Sequence, residues 1–469
     1  MNLSQAPLAC MVEIHYLGAS FQPGPFMVTT APESVDTLIH ARWVIPVEPD
    51  GVALDHHSIA IQHGRIAAVL PTAEATRSFR ARETVELPQH VLIPGLINAH
   101  THAAMSLFRG LADDLPLMDW LQNHIWPAEA KWVSPEFVRD GTQLAIAEML
   151  KGGTTCFSDM YFFPEATAHA ARDAGMRAVV GLILIDFPTP YAQTPDEYLD
   201  KGLRLRDSLR HDPLIRTAFA PHAPYSVSDG PLARLRTVND ELNLPLHMHV
   251  HETAHEVDEA VAKTGQRPLA RLDALDLIGP ALVAVHMTQL TDAEIARLAA
   301  MHAHVVHCPE SNLKLASGFC PLHKLLQAGI NVALGTDGAA SNNDLDMLDE
   351  LRMAALLAKA VSGEATAVPA HTALRMATLN GARALGLAGE TGSLEAGKAA
   401  DIAAIDLSAL CSQPVYDPIS QLVYTASRDQ VTDVWVAGRR LLANRELTTL
   451  DAGAIASRAQ DWRDKIISS

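Results

Sequence analysis

The feature that most constrains the fold is a repeated alternation of short apolar segments and longer helical segments through the middle of the chain. Eight segments have the pattern of buried strands: Val91–Asn98, Thr154–Asp159, Ala178–Ile185, Arg216–Ala220, Leu246–Val250, Leu282–His286, His304–His307 and Asn331–Leu334. Four of the helical segments are Gln143–Leu150, Pro231–Leu242, Asp292–Met301 and Leu345–Ala360. This alternation predicts an α/β fold, a (β/α)8 TIM-like barrel whose functional groups follow the carboxyl ends of the strands.

Short strand patterns flank the barrel on both sides. Ser58–Ile61 and Ile66–Leu70 are typical of a hairpin, and strand patterns return at Asp401–Asp406 and Val431–Val436. We therefore predict a small β-sandwich domain formed from both chain ends. The predicted organisation is an N-terminal arm or extension (1–30), the small β domain (31–92 plus 393–450), the barrel (93–392) and a C-terminal helix (451–469).

Composition excludes several classes of function. The chain has 469 residues with 36 Lys+Arg and 54 Asp+Glu, so its formal charge is −18. Such an acidic protein is not expected to bind nucleic acid or anionic membranes, which are themselves negatively charged. No apolar run reaches the ~18 residues of a membrane helix. The N-terminus has no signal-peptide pattern, and the five cysteines contain no CxxC pair. We expect a cytoplasmic protein that binds a small molecule. The sequence leaves open whether the protein forms a homo-oligomer.

Polar residues at the predicted strand ends indicate a metal site. His100 and His102 close the first strand, and a spacing of two places both imidazoles on one face. The fifth strand carries His247, His249 and His251 on one face, of which His249 is best placed as a third ligand and His247 as a buried core histidine. Asp337 follows the eighth strand between two glycines and supplies a carboxylate.

Three further polar residues lie beside these candidates. Glu252 begins the loop after the fifth strand, and His286 ends the sixth. His222 stands between two prolines after the fourth strand, where it either contacts a substrate or packs the loop. We also expect the connection 103–150 to shape the substrate pocket, as long barrel loops usually do.

One motif points to different chemistry. The segment from His251 to His255 matches the H-E-x-x-H pattern of zinc proteases, which requires both histidines on one helix face. Strand alternation up to His251 contradicts that arrangement, and we expect the helix to start near Thr253. A two-metal centre with a carboxylated lysine is also disfavoured, because strands three and four and their ends contain no lysine.

Together these motifs resemble the amidohydrolase superfamily. The residues that carry the resemblance are HTH at 100–102, His249 with Glu252, His286, HCPESNLKLASG at 307–318, LGTDGAASNN at 334–343 and GSLEAGKAADIAAIDL at 392–407. Within that superfamily the chain is similar to the branch of 5-methylthioadenosine/S-adenosylhomocysteine deaminases and triazine-type chlorohydrolases.

The resemblance implies one divalent metal ion per chain, usually zinc, held by His100, His102, His249 and Asp337. It also implies substrate contacts from Glu252, His222 and, on the ribose hydroxyls, Glu129. Asp337, Glu252 and His286 would carry the catalysis, as base, acid and hydrogen-bond partner of the attacking oxygen. Trp120, Trp126 and Phe163 are candidate pocket walls, with a core role equally open for each.

Three functions follow as alternatives. The first is hydrolytic deamination of adenosine-type nucleosides such as 5′-methylthioadenosine, S-adenosylhomocysteine and adenosine. The second is another one-metal hydrolysis, acting on guanine, a pterin or a triazine. The third is a barrel without catalysis that serves as a binding protein, which the complete ligand set speaks against. Glu129 favours the first, because a bare base offers no ribose hydroxyls.

Overall fold

The computed structural model describes residues 32–468, so the predicted N-terminal arm lies outside the described residues. Seventeen strands are present in this range: β1 Glu33–Val44, β2 Leu54–Asp55, β3 His57–Gln62, β4 Arg65–Pro71, β5 Phe79–Pro94, β6 Leu96–Thr101, β7 Thr154–Asp159, β8 Arg177–Leu184, β9 Ile215–Pro221, β10 Leu246–Val250, β11 Leu282–His286, β12 His304–His307, β13 Asn331–Leu334, β14 Ile402–Asp406, β15 Val431–Val436, β16 Arg439–Ala443 and β17 Glu446–Leu447. They form two sheets.

The α-helices of this range are α1 Thr72–Ser78, α2 Leu117–Asp119, α3 Trp126–Trp132, α4 Pro135–Lys151, α5 Pro164–Ala174, α6 Pro195–Leu209, α7 Asp229–Leu242, α8 Ala254–Thr264, α9 Pro268–Ala274, α10 Asp292–Ala300, α11 Pro309–Lys314, α12 Leu322–Gln327, α13 Met347–Ser362, α14 Ala370–Met376, α15 Leu379–Ala384, α16 Pro418–Tyr424 and α17 Ala452–Ile467. A π-helix, Trp120–Ile125, joins α2 to α3, and short 3-10 turns cover Ala103–Phe108, Leu410–Ser412 and Arg428–Gln430.

The central sheet is the predicted (β/α)8 barrel. Its eight parallel strands follow chain order from β6 to β13, with helices between successive strands. The first and last strands meet near the functional end, where the Asp337 N–H donates to the His100 carbonyl at 3.0 Å. All strand carboxyl ends therefore open on one face, as parallel winding requires.

The first predicted barrel strand, Val91–Asn98, is wrong in its bounds. Gly95 divides it: β5 ends at Pro94 in the outer sheet, and β6 begins at Leu96 in the barrel. A Cβ at Gly95 would lie 2.1 Å from the Thr155 side chain, so the chain can cross between the sheets here only with glycine. Both halves are fully buried, which is why one continuous apolar run concealed the break.

The second sheet confirms that both chain ends build one small β unit. Its nine strands run in the order β17-β16-β15-β14-β5-β1-β3-β4, with β2 paired to β1. The predicted hairpin is β3 with β4, and β14 joins the C-terminal strands to β5 through an antiparallel ladder. Helix α17 then returns to the barrel, where Trp462 packs on Phe137 of α4.

Among residues 32–468, no helix has the length and apolar character needed to cross a membrane.

Candidate metal centre and substrate pocket

Four predicted ligands converge at the carboxyl ends of three barrel strands. His100 lies in β6 and His102 directly follows it, His249 lies in β10, and Asp337 follows β13. One ligand atom from each lies within 4.8 Å of the others. The Nε2 atoms of His100 and His102 are 3.2 and 3.3 Å from Asp337 Oδ1. Three imidazoles and a carboxylate are a donor set that suits a divalent transition metal.

The other nitrogen of each imidazole has a partner of its own. The Nδ1 of His102 donates to the Met160 carbonyl at 2.5 Å, and that of His249 to the His222 carbonyl at 2.8 Å. His100 Nδ1 is 3.0 Å from Nε2 of His247. These bonds turn each Nε2 toward a common point, as outer partners of metal-binding histidines do. The residues present therefore fit a metal ion.

Asp337 is held in one orientation by two hydroxyls. Ser311 and Ser341 each donate to its Oδ2 at 2.7 Å, which leaves Oδ1 facing the histidines. The backbone of Asp337 is left-handed, with φ of 61°. The histidine contacts hold the pKa of this buried carboxyl well below its usual range, so it is ionised.

His247 is the buried core histidine that the strand pattern indicated. It is 1 % exposed and bonds His100 on one side and Ser158 Oγ on the other. His251, in contrast, does not share that inward face. The strand ends at Val250, the backbone of His251 turns left-handed (φ 54°), and its Nε2 accepts the Leu269 N–H.

Glu252 and His286 face each other beside the metal cluster. His286 Nε2 lies 3.8 Å from Glu252 Oε2, and its Nδ1 lies 2.9 Å from Asn312 Oδ1. Because that oxygen can only accept, Nδ1 carries a hydrogen, and Nε2 is the nitrogen that faces the site. Burial raises the pKa of Glu252, so this carboxyl retains a proton more readily than one in water.

A cavity of about 350 Å³ opens above these residues. Its walls are largely aromatic and apolar, and include Trp120, Trp126, Tyr161, Phe162 and Phe187. Glu129 of α3, on the long first connection, also lines it, and burial raises the pKa of this carboxyl to about 7. No lysine or arginine is among the described residues that line it.

His222 lines the same cavity. Its Nδ1 lies 2.9 Å from Ser226 Oγ, and burial lowers its pKa to about 3, so the ring is neutral near pH 7. The structure therefore brings every predicted site residue to one cavity and its floor. Of the three predicted wall residues, Trp120 and Trp126 line the cavity. Phe163 instead packs on Tyr191, with 5.3 Å between the ring centroids.

Several residues of the site were not predicted. They are Tyr161, Phe162, Phe187, Ser311, Ser341 and Asn312. Ser311 and Asn312 lie within the quoted segment 307–318, and Ser341 within 334–343, so those motifs were the available signal. The H-E-x-x-H pattern is not a protease motif here, because α8 begins at Ala254 after the N-cap Thr253 and His251 precedes the helix.

Comparison with known proteins finds a family model and several similar proteins. The model of the amidohydrolase family matches residues 91–441. A 5-methylthioadenosine/S-adenosylhomocysteine deaminase of Teredinibacter turnerae is 53 % identical over 92 % of this chain and 98 % of its own. The crystal structure of an adenosine deaminase from Xanthomonas campestris with bound zinc is 56 % identical, covers 93 % of this chain and 100 % of its own, and has a TM-score of 0.92.

A solved atrazine chlorohydrolase of Arthrobacter aurescens, complexed with zinc, is more distant. It is 25 % identical, covers 91 % of this chain and 99 % of its own, and has a TM-score of 0.84. The chain belongs to the amidohydrolase family. The family prediction drawn from the strand-end motifs is thereby confirmed.

Proposed function

We propose that the protein is a zinc-dependent deaminase that converts adenosine-type nucleosides, including 5′-methylthioadenosine and S-adenosylhomocysteine, to the inosine analogue and ammonia. The single observation that carries this proposal is a carboxylate, Glu129, on the wall of a largely apolar cavity whose floor is a cluster of three histidines and one aspartate. The floor suits hydrolysis, the apolar wall suits a purine ring, and Glu129 suits vicinal hydroxyls. The deaminase relatives at 53 and 56 % identity support the same reaction.

His100, His102, His249 and Asp337 would hold the ion. When bound, it supplies the Lewis acidity that makes water nucleophilic near pH 7. Asp337 takes the proton that the attacking water loses, because its Oδ1 is the oxygen that Ser311 and Ser341 leave free. His286 holds the attacking oxygen by a hydrogen bond through Nε2, because its Nδ1 donates to Asn312 Oδ1.

Glu252 acts as the acid. Its raised pKa lets it carry a proton to N1 of the purine as water adds to C6, which relieves the charge on the ring. Asp337 passes its proton to the amino nitrogen, the C6–N bond breaks and ammonia leaves. The remaining hydroxyl proton of the added water returns to Glu252, and the 6-oxo product remains. His222, neutral and on the cavity wall, contacts the substrate without adding charge.

Ammonia release from a panel of compounds tests the proposal. The purified metal-loaded protein should deaminate 5′-methylthioadenosine, S-adenosylhomocysteine or adenosine. Free adenine should be poor because it lacks the hydroxyls, and AMP because no lysine or arginine among the described residues lines the cavity to meet its phosphate. A preference for guanine or a pterin, or release of chloride from atrazine, would contradict the proposal.

A further inference from the structure

The Glu252 carboxylate has no hydrogen bond to any other described side chain or backbone group. His286 Nε2 lies 3.8 Å from Glu252 Oε2, beyond hydrogen-bond range. A carboxylate on a loop without an anchor would sample several positions. The orientation of the Glu252 carboxylate toward the cavity must therefore be set by the backbone of Glu252.

That backbone is held by a second carboxylate, Glu256, in the first turn of α8. One of its oxygens accepts the His251 N–H at 3.2 Å, and the other accepts the Glu252 N–H at 2.7 Å. Glu256 is 8 % exposed and is not among the residues that line the cavity. Glu256 therefore holds the backbone of His251 and Glu252 by hydrogen bonds from outside the substrate pocket.

This arrangement departs from the usual helix start. Thr253 caps α8 by accepting the Glu256 N–H at 3.2 Å, which is half of a capping box. In a complete box the glutamate would return to the N–H of Thr253 itself. Here it reaches further back, to the two residues before the cap, and thereby fixes the peptide that orients Glu252.

The opposite side of the same peptide is held by Thr288, which follows β11. Its hydroxyl donates to the Glu252 carbonyl at 2.7 Å, and its N–H donates to the His251 carbonyl at 3.0 Å. Between the two sets of bonds His251 adopts a left-handed backbone, a conformation that persists only where the surroundings impose it.

We propose that Glu256 is a positioning residue for catalysis, acting through the backbone of Glu252 with Thr288 as its counterpart. This inference rests on the proposed function, in which Glu252 protonates the purine. It also explains the H-E-x-x-H pattern, whose segment HETAHE contains the acid, the helix cap and the residue that positions the acid.

Glu256→Gln tests the proposal with little change of shape. Glutamine has one acceptor oxygen, so its NH2 group must face one of the two backbone N–H groups. We expect kcat for 5′-methylthioadenosine to fall at least tenfold, KM to stay within threefold, and one metal ion per chain to be retained. The matched control is Glu259→Gln on the same helix, a partly exposed residue paired with Lys263, which should behave as wild type.

Thr288→Val removes the hydroxyl on the other side and should give the same fall of kcat at constant KM, even if Glu256→Gln does not fold. A double variant distinguishes positioning from general structure. Adding Glu256→Gln to Glu252→Gln should lower the remaining kcat by less than twofold, because the group being positioned is already absent.

The inference is overturned if Glu256→Gln keeps kcat within twofold of wild type, or if its loss of activity matches its loss of metal. An undiminished effect of Glu256→Gln in the Glu252→Gln background also overturns it. A wild-type protein that releases no ammonia from nucleosides would instead contradict the proposed function, so the two failures are distinguishable.

Discussion

Hydrogen bonds to the far side of each imidazole decide what the near side can do. His102 and His249 both give their Nδ1 hydrogens to backbone carbonyls, which are acceptors only. Their Nε2 atoms must then carry lone pairs whenever the rings are neutral. The cluster is thus arranged for a metal ion by atoms that never touch it.

The metal ligands give the first prediction. His100→Ala or Asp337→Ala should lower the bound metal from one ion per chain to almost none, because each removes one of four donors. Elemental analysis measures the content, and circular dichroism checks that the fold is kept. The control is His255→Ala, on α8 outside the cluster, which should retain the ion. Two ions per wild-type chain would contradict the one-metal site.

Glu129 gives the second prediction. Glu129→Ala should lower kcat/KM for nucleosides, with metal content unchanged. The expected loss of transition-state stabilisation is about 1–3 kcal/mol, the value of a hydrogen bond to a charged group. The pKa of about 7 adds a pH dependence. Above pH 7 the ionised carboxylate accepts the ribose hydroxyls, and below it the protonated form binds them less well. KM should therefore rise as the pH falls through about 7, and Glu129→Gln should flatten that rise.

Among the elements of the fold, the long connection after β6 determines the shape of the pocket. It carries Trp120, Trp126 and Glu129 on the π-helix Trp120–Ile125 and α3. Lys314 of α11, which follows β12, ties this connection to the segment after β13, the strand that meets β6. It donates to Asp113 at 2.6 Å and to Asn343. This tie holds the wall over the metal cluster.

Lys314→Ala should therefore loosen the wall while leaving the floor intact. We expect KM for nucleosides to rise about fivefold, equivalent to about 1 kcal/mol, with metal content and kcat little changed. Steady-state kinetics measure the change. Lys324→Ala is the control, since it removes a similar ion pair, with Asp292 at 2.7 Å, away from the connection. An unchanged KM in Lys314→Ala would show that the tie has no effect on binding.

Across the molecule as a whole, a buried ion pair joins the barrel to the outer sheet. Arg177, at the amino end of β8, donates to Asp401 at 2.7 and 3.2 Å and to Glu390 at 3.2 Å. The side chains of Arg177 and Asp401 are 2 % and 0 % exposed. The pair lies at the barrel end opposite to the metal cluster.

Arg177→Met should lower the free energy of unfolding by about 3–5 kcal/mol, because it leaves Asp401 charged and buried without its partner. Chemical denaturation measures this, and kcat per folded molecule should be unchanged. Arg216→Met is the control: Arg216 pairs with Glu390 at 3.5 Å but is 44 % exposed, so its loss should cost at most about 1 kcal/mol. Equal effects of the two variants would contradict a special role for the buried pair.

Local residue patterns were enough to predict the architecture and the four candidate ligands. Five predicted strands, β7 and β10 to β13, have the bounds of the structure, because short apolar runs between turns are a local signal. The ligand positions followed from the same signal, since parallel winding brings strand ends to one face. His100 and Asp337 thus meet although they follow the first and the last strand of the barrel.

Long-range packing, in contrast, sets where the chain leaves one sheet for the other and which groups orient the site. The crossing at Gly95 depends on the approach of Thr155, and the orientation of Asp337 depends on hydroxyls from Ser311 and Ser341. The position of Glu252 depends on Thr288, 36 residues further along the chain, as well as on Glu256, which is only four residues away. Most of these hydrogen bonds and close approaches form between segments whose relative placement is set by packing, so local patterns of residues do not contain them.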